Sequence, residues 1–293
     1  MTGRIVVFGD VIDDIVVVPN GPIRADTDTP SSIRHRAGGS AANVASWLGR
    51  RGADVDFVGR VAASDVVRHS DVLSRFGVTP HLVGDDDLPT GTIVVIVDGD
   101  SRSMLTERGA NDQFSADQVT DELLAQARLV HFTGYSIYHG EHQDAIARLF
   151  DRAAAKGVTV SVDPASAGSL VDFGASRFLE LIAGAGVLLP NLEEGRVLTG
   201  LIDPEAVAEA LGRRFALVAL TMGDSGVIVA QHGRALVRVD AVRAARVDPT
   251  GAGDAFSAGF LAEWVRGGDA VAAARAGVAV AAEAVTIVGG RPL

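Results

Sequence analysis

Short apolar runs recur along the chain at residues 5–8, 55–58, 129–132, 158–162, 187–189 and 217–220. Each is short enough for a strand, and several are apolar on both faces, as strands buried on two sides are. Between them, apolar residues fall at helical spacing over 41–51, 116–126, 142–156, 176–182, 193–198 and 204–214, and again over 270–284. Strand alternating with helix predicts a mostly parallel sheet covered on both faces, a three-layer α/β/α fold with ligands at the carboxyl ends of the strands. The expected α/β domain takes residues 1–13, 37–88 and 109–293.

Residues 14–36 and 89–108 break that rhythm. Neither has helical periodicity, and each holds a pair of extended stretches, 15–18 with 32–36 and 92–98 with 102–107. Asp98-Gly99-Asp100-Ser101 supplies a hairpin turn, because glycine tolerates positive φ there. Together they predict a small antiparallel β lid, read either as two surface hairpins or as a cover over a site and a dimer contact.

Composition narrows the function. The 293 residues carry 26 Lys+Arg against 37 Asp+Glu, a formal net charge of −11. That argues against nucleic acid as a partner, since such binding neutralises phosphates with clustered cations. With no cysteine, disulfides, thiolate nucleophiles and cysteine-held zinc are excluded. The apolar run 5–8 is too short for a signal peptide, and no apolar stretch reaches membrane-spanning length. The expectation is a cytoplasmic protein without a membrane partner.

Two glycine-rich motifs carry the chemistry. Asp248-Pro249-Thr250-Gly251-Ala252-Gly253-Asp254 precedes apolar residues at helical spacing, so the glycines fall at a helix N-terminus. Free amides and the helix dipole favour an anion there. Asp254 is then either an ordinary first-turn acid or a base that takes a proton from a substrate hydroxyl. Gly38-Gly39-Ser40-Ala41-Ala42-Asn43 opens a second helix, where Gly39 admits close approach and Asn43 offers a donor and an acceptor. No Gly-x-x-x-x-Gly-Lys-Ser/Thr loop occurs. A dinucleotide fingerprint is also missing, because Phe256 stands where a glycine would be needed.

This pair of motifs resembles the two signatures of the ribokinase-like (PfkB) carbohydrate kinase family. Asn191-Leu192-Glu193-Glu194 and Thr221-Met222-Gly223-Asp224-Ser225-Gly226 match two further family regions, and the resemblance spans nearly the whole chain. It implies transfer of the ATP γ-phosphoryl group to a hydroxymethyl of a small sugar, with Mg²⁺ and K⁺. Asp254 would be the base and Gly251, Ala252 and Gly253 the anion hole. Asn191 and Glu194 would organise Mg²⁺ through water. Thr221, Gly223, Gly226 and Thr250 would meet the nucleotide, while Asp248 and Thr250, with the loop 285–290, would hold K⁺. The acceptor would lie on Asp14, Gly38, Gly39 and Asn43, with Asp10, Arg108 and Asn111 as nearby candidates and Arg108 suited to an acidic substituent.

Read without that resemblance, Asn191 is a helix-start residue and Glu194 a solvated helix charge. Successive residues in an extended segment face opposite ways, so Asp14 rather than Asp13 is expected to face the pocket. His131 and His139 read as structural. Asp163-Pro164-Ala165-Ser166 lacks the Asp-x-Asn-x-Arg pattern of the family's fructokinases, which lowers fructose as the acceptor. No aromatic residue stands in the lid segments, which favours a sugar over a nucleoside. A non-catalytic ligand-binding protein on the same scaffold and a homodimer through the lid complete the expectations.

Overall fold

The computed structural model describes residues 3–98, 101–138 and 143–293. Two sheets organise them. The larger has nine strands, β1 (Arg4–Phe8), β4 (Val55–Ala62), β5 (Val78–Asp85), β8 (Ala127–Thr133), β9 (Thr159–Asp163), β10 (Val187–Leu188), β11 (Leu217–Thr221), β12 (Val227–Gln231) and β13 (Arg234–Val239). Their order is β13-β12-β11-β10-β9-β8-β1-β4-β5, parallel from β11 through to β5 and antiparallel for the last two. The smaller sheet orders β3 (Ser31–Gly38), β2 (Ile12–Pro19), β6 (Gly91–Asp98) and β7 (Ser101–Glu107).

Side chains alternate across β1, and that alternation separates the two halves of the core. Ile5 and Val7 join the cluster formed with α1 (Ser40–Arg50), α2 (Val66–Ser74), α10 (Ala252–Val265) and α11 (Ala270–Ala284). Val6 and Phe8 face the other cluster, against α3 (Asp121–Gln126), α4 (Tyr135–Tyr138), α5 (Gln143–Ala155), α6 (Ala167–Phe173), α7 (Ala175–Leu181), α8 (Leu192–Thr199) and α9 (Pro204–Gly212). The expected three-layer α/β/α architecture is therefore present. So is the small second sheet, which is antiparallel within each hairpin and joins the hairpins through parallel β2–β6 pairing. Its first hairpin extends slightly beyond the expected 14–36, from Ile12 to Gly38, while the strands of the second lie within 89–108. The tip of its second hairpin, Gly99-Asp100, lies outside the described residues, as does His139.

The helix expected over 116–126 is two pieces. Ser115 caps a short 3₁₀ turn in a reciprocal box with Gln118, and the Thr120 side chain then starts α3 by accepting from the Leu123 amide. Two caps so close together leave no room for a continuous helix. Strand β5 escaped the pattern because Pro80 and His81 interrupt its alternation, which an edge strand tolerates.

Candidate active site

The two glycine motifs start the adjacent helices α1 and α10, and the difference between those starts builds the site. At α1, Gly39 has φ 94°, and a Cβ there would stand 2.4 Å from the Asp10 carbonyl oxygen. The Asp10 carboxylate accepts from both leading amides, Ser40 N at 2.8 Å and Ala41 N at 3.1 Å. The positive end of this helix is thus occupied by a buried carboxylate. At α10, Gly251 is left-handed with φ 75°, and a Cβ there would come within 2.5 Å of Gly290 Cα. No side chain caps this helix. Ala252 N closes a turn onto Pro249 O at 3.2 Å, while the amides of Gly251 and Gly253 have no partner among the described residues. A Cβ on Gly253 would meet nothing within 4 Å. The N-terminus of α10 is therefore open, and it lines a cleft of about 280 Å³.

Asp254 stands in the first turn of α10, on the wall of that cleft. Its Oδ1 accepts from Ser40 Oγ at 2.6 Å and its Oδ2 from Asn43 Nδ2 at 2.8 Å. Burial pushes its carboxyl up to about 7, with Asp163 and Asp10 adding to the rise and the Ser40 and Asn43 hydrogen bonds opposing it. Such a group loses and regains a proton near neutral pH, as a general base must. The Asn43 amide is spoken for at both ends, because its Oδ1 accepts from Arg291 Nε at 3.4 Å. Asn43 is thus held between Asp254 and Arg291, with its second N–H and second lone pair left over.

Across the cleft, Asn191 and Glu194 cap α8 reciprocally. The Asn191 amide donates to Glu194 Oε2 at 2.9 Å, and Glu194 N donates to Asn191 Oδ1 at 2.9 Å. Asn191 is the expected helix-start residue. Glu194, however, is buried rather than solvated. Asp163, at the end of β9, accepts from Ser257 Oγ at 3.1 Å and from Ala165 N at 2.8 Å. Burial pushes both carboxyls up, opposed at Asp163 by its hydrogen bonds from Ala165 and Ser257, and at Glu194 the charge of Asp163 adds to the rise. Ser40, Tyr135, Leu189, Thr221, Phe256 and Ser257 complete much of the lining.

The other predicted residues divide. Asp14 and Asp13 do point opposite ways. Asp13 accepts from Arg68 at 2.8 and 2.7 Å, whereas the Asp14 carboxylate has no hydrogen-bond partner among the described residues and leans on Gly38, whose Cβ would be 2.2 Å from Asp14 Oδ2. Burial pushes Asp14 up to about 6. Asn111 is spent on backbone, accepting from Val11 N at 2.9 Å and donating to the Val11 and Arg108 carbonyls at 2.9 Å. Asp10, Arg108 and Asn111 share a narrow recess with Phe114, Tyr135 and Ser136, and Arg108 is paired with Asp112 at 2.8 Å rather than solvated alone. Gly223 and Gly226 form a turn after β11 outside the cleft lining, with Thr221 at its edge. Asp248 ties its loop to 285–290, accepting from Thr250 N at 2.9 Å and Gly289 N at 3.0 Å. His131 is buried against Ser161, as a structural histidine is.

Sequence reasoning passed over Ser40, Asp163, Ser257, Tyr135 and Arg291. Ser40 lay inside a motif already singled out. Asp163 carried a usable signal, an acid at the carboxyl end of a predicted parallel strand. Arg291 carried none, for only the fold brings it to Asn43.

A family model described as pfkB family carbohydrate kinase matches residues 2–292. An ATP-dependent ribose-1-phosphate kinase of Halopiger xanaduensis is 33% identical over 259 residues, 83% of this chain and 79% of that protein. An uncharacterized sugar kinase of Archaeoglobus fulgidus is 28% identical over 84% of this chain and 93% of its own length. Among solved structures, adenosine kinase from Sinorhizobium meliloti superposes with TM-score 0.90 at 26% identity, covering 100% of this chain and 97% of that one. With its two signature motifs meeting at Asp254 and the family match running the length of the fold, the chain belongs to the pfkB family of carbohydrate kinases.

Proposed function

We propose that this kinase transfers the γ-phosphoryl group of ATP to a hydroxymethyl group of a small sugar, with Asp254 as the base. The observation that carries the reading is the pairing of an open helix N-terminus with a carboxylate poised near neutrality on one cleft wall. Asp254 accepts the acceptor's hydroxyl proton, while the free amides of Gly251 and Gly253 stabilise the charge on the phosphoryl in flight. Ala252 contributes by closing the turn that aims them. Asp14, whose carboxylate has no hydrogen-bond partner among the described residues and lies in the field of Arg291, accepts from sugar hydroxyls, with Gly38 and Gly39 giving room for close approach. Asp10 and Asn111 act behind the site, holding α1 and the 108–111 turn in place.

The all-oxygen donor set of Asp163, Glu194 and Asn191 fits a hard cation that keeps its waters, and both acids are pushed up by burial. Mg²⁺ held there would neutralise the phosphate oxygens of the nucleotide. Thr221 borders the nucleotide side, with Gly223 and Gly226 further out along the same turn. Asp248 and Thr250, tied to the 285–290 loop, are the candidate K⁺ site, and a turnover that rises with K⁺ is the check. The small sheet would cover the acceptor as a lid over 14–36 and 89–108. Its exposed Ile33, Met104 and Leu105 suit a homodimer contact. Among the described residues no helix is long and apolar enough to cross a membrane.

A nucleoside acceptor is the second reading, and the observation for it is the pair Phe114 and Tyr135 beside Asp10, in a recess of about 10 Å³ that would have to widen to take a base. The test is ADP release with ribose, other pentoses and ketoses, ribose 1-phosphate, adenosine and other nucleosides, with and without K⁺. A sugar that outperforms every nucleoside supports the first reading. Preference for a nucleoside selects the second, and no acceptor-dependent ADP with any of them overturns both.

A further inference from the structure

We propose that Arg291 is a positioning residue for the base: it fixes which end of the Asn43 amide faces Asp254, and so keeps a hydrogen-bond donor on that carboxylate. The inference rests on the kinase reading above and adds a residue to it.

An asparagine side chain has one accepting and one donating end. Here it lies between two groups of opposite demand. An ionised carboxylate only accepts, and a guanidinium only donates. Asn43 Nδ2 stands 2.8 Å from Asp254 Oδ2, and Asn43 Oδ1 stands 3.4 Å from Arg291 Nε. One orientation satisfies both contacts; the flipped amide would set oxygen against carboxylate and NH₂ against guanidinium. Without the arginine, one of these two constraints is gone, and the amide turns more freely away from Asp254.

The arginine is itself held for this task. Its Nη2 donates to Gly38 O at 2.7 Å, at the end of β3, and the residue is buried. Nη1 is buried without a partner among the described residues. The hydrogen-bond partners of Arg291 are two neutral oxygens, and the charge is offset by Asp14, Asp10 and Asp13 in its field. The arginine is not needed to anchor its own segment. Trp47 Nε1 donates to Gly290 O at 2.9 Å, and Gly289 N donates to Asp248 Oδ2 at 3.0 Å. Loss of the guanidinium therefore leaves two clamps in place. The acids facing Arg291 are Asp14, Asp10 and Asp13; those facing Asp254 are Asp10 and Asp163, with Tyr135 also alongside.

The test compares Arg291→Met, Arg291→Lys, Asn43→Ala and the double variant Asn43→Ala with Arg291→Met. Two readouts are taken: the acid limb of kcat against pH, and the carboxyl ¹³C titration of Asp254, identified by its absence in Asp254→Asn. In Arg291→Met both midpoints rise by about one pH unit, the size of one lost charge-assisted hydrogen bond. Turnover accordingly falls more at pH 6 than at pH 9. Arg291→Lys, which keeps a donor, lies closer to the parent protein. In the Asn43→Ala background Arg291→Met adds no further shift. An equal shift in that background would mean a direct effect of the charge and would overturn the inference. So would an acceptor KM that rises with unmoved midpoints, or a lysine variant no better than methionine. If no acceptor gives ADP, the kinase reading fails, yet the ¹³C titration still decides for or against Arg291.

Discussion

Two helices of this molecule begin alike in sequence and differently in physics. Both α1 and α10 open on glycine followed by small residues, and both glycines adopt a positive φ against a neighbouring backbone. At α1 the first two amides are consumed by Asp10. At α10 no side chain takes them, and they face the cleft. The same local motif is a packing joint in one place and an open, uncapped helix start on the cleft in the other. What separates them is a carboxylate supplied by a different part of the chain. The comparison also explains Asp254. With α1 capped by Asp10, the Ser40 hydroxyl and the Asn43 amide are left to hold the Asp254 carboxylate.

The most damaging way to break this contrast is to remove the base. Asp254→Asn lowers kcat by about 100- to 10,000-fold, the usual worth of a positioned base, with ATP affinity nearly unchanged by calorimetry. The pH profile of the parent enzyme gives the sign independently. Asp254 must be ionised to accept a proton, so turnover falls as pH drops through about 7.

Glycine substitutions sharpen the contrast within a single turn. Gly253→Ala meets no atom and relieves a helix of glycine, so it stabilises the fold by about 0.5–1 kcal/mol. Its methyl intrudes on the anion seat, and kcat falls on the order of 10-fold. Gly251→Ala does the opposite first. It strains a left-handed residue against Gly290, costing about 1–3 kcal/mol in denaturant melts. Equal thermal stability of the two variants would dissolve the distinction.

Asp10→Ala tests the other helix. It strips the cap from α1 and costs about 1–2 kcal/mol in stability. Turnover falls with it because Ser40 is no longer held, but by less than in Asp254→Asn.

The smallest effect is the pH dependence of the ligand-free fold. Asp254 is raised from 3.8 to about 7 and Asp14 to about 6, both chiefly by burial, so the folded state binds more protons than the unfolded one between those values. Stability therefore falls as pH rises from about 4, and goes on falling to about 8, where Glu194, also raised by burial, gives up its proton. Melting temperatures at pH 5 and pH 8 check this, and a higher value at pH 8 would contradict it. Mg²⁺ should recover more of the loss at pH 8, where Asp163 and Glu194 hold fewer protons.

The layered α/β architecture was legible because buried parallel strands have almost no polar faces and helices show their period, as in α11, whose expected span 270–284 is the observed one. Where local signals competed, the pattern misled. The 116–126 stretch carries two caps, and β5 carries a proline on an edge. In the site, the motifs named Asp254 and the glycines around it. They did not show that Asn43 lies between Asp254 and Arg291 or that the Asn111 amide is spent on backbone, and Glu194, a solvated charge when read without the resemblance, is buried.

By itself the sequence determined the alternation of strand and helix outside 116–126 and β5, where glycine permits a positive-φ start, and that Asp254 stands beside one of those starts. These are properties of neighbouring residues, set by sterics and by the burial of apolar faces. Only the tertiary structure decided how each polar group is spent. That Asp10 closes one helix and leaves the other open, that Asp254 is pressed toward neutrality, and that Arg291 reaches Asn43 all depend on contacts between segments far apart in the chain. Hydrogen-bond partners and desolvation are fixed by where the whole chain folds, and no local pattern encodes them.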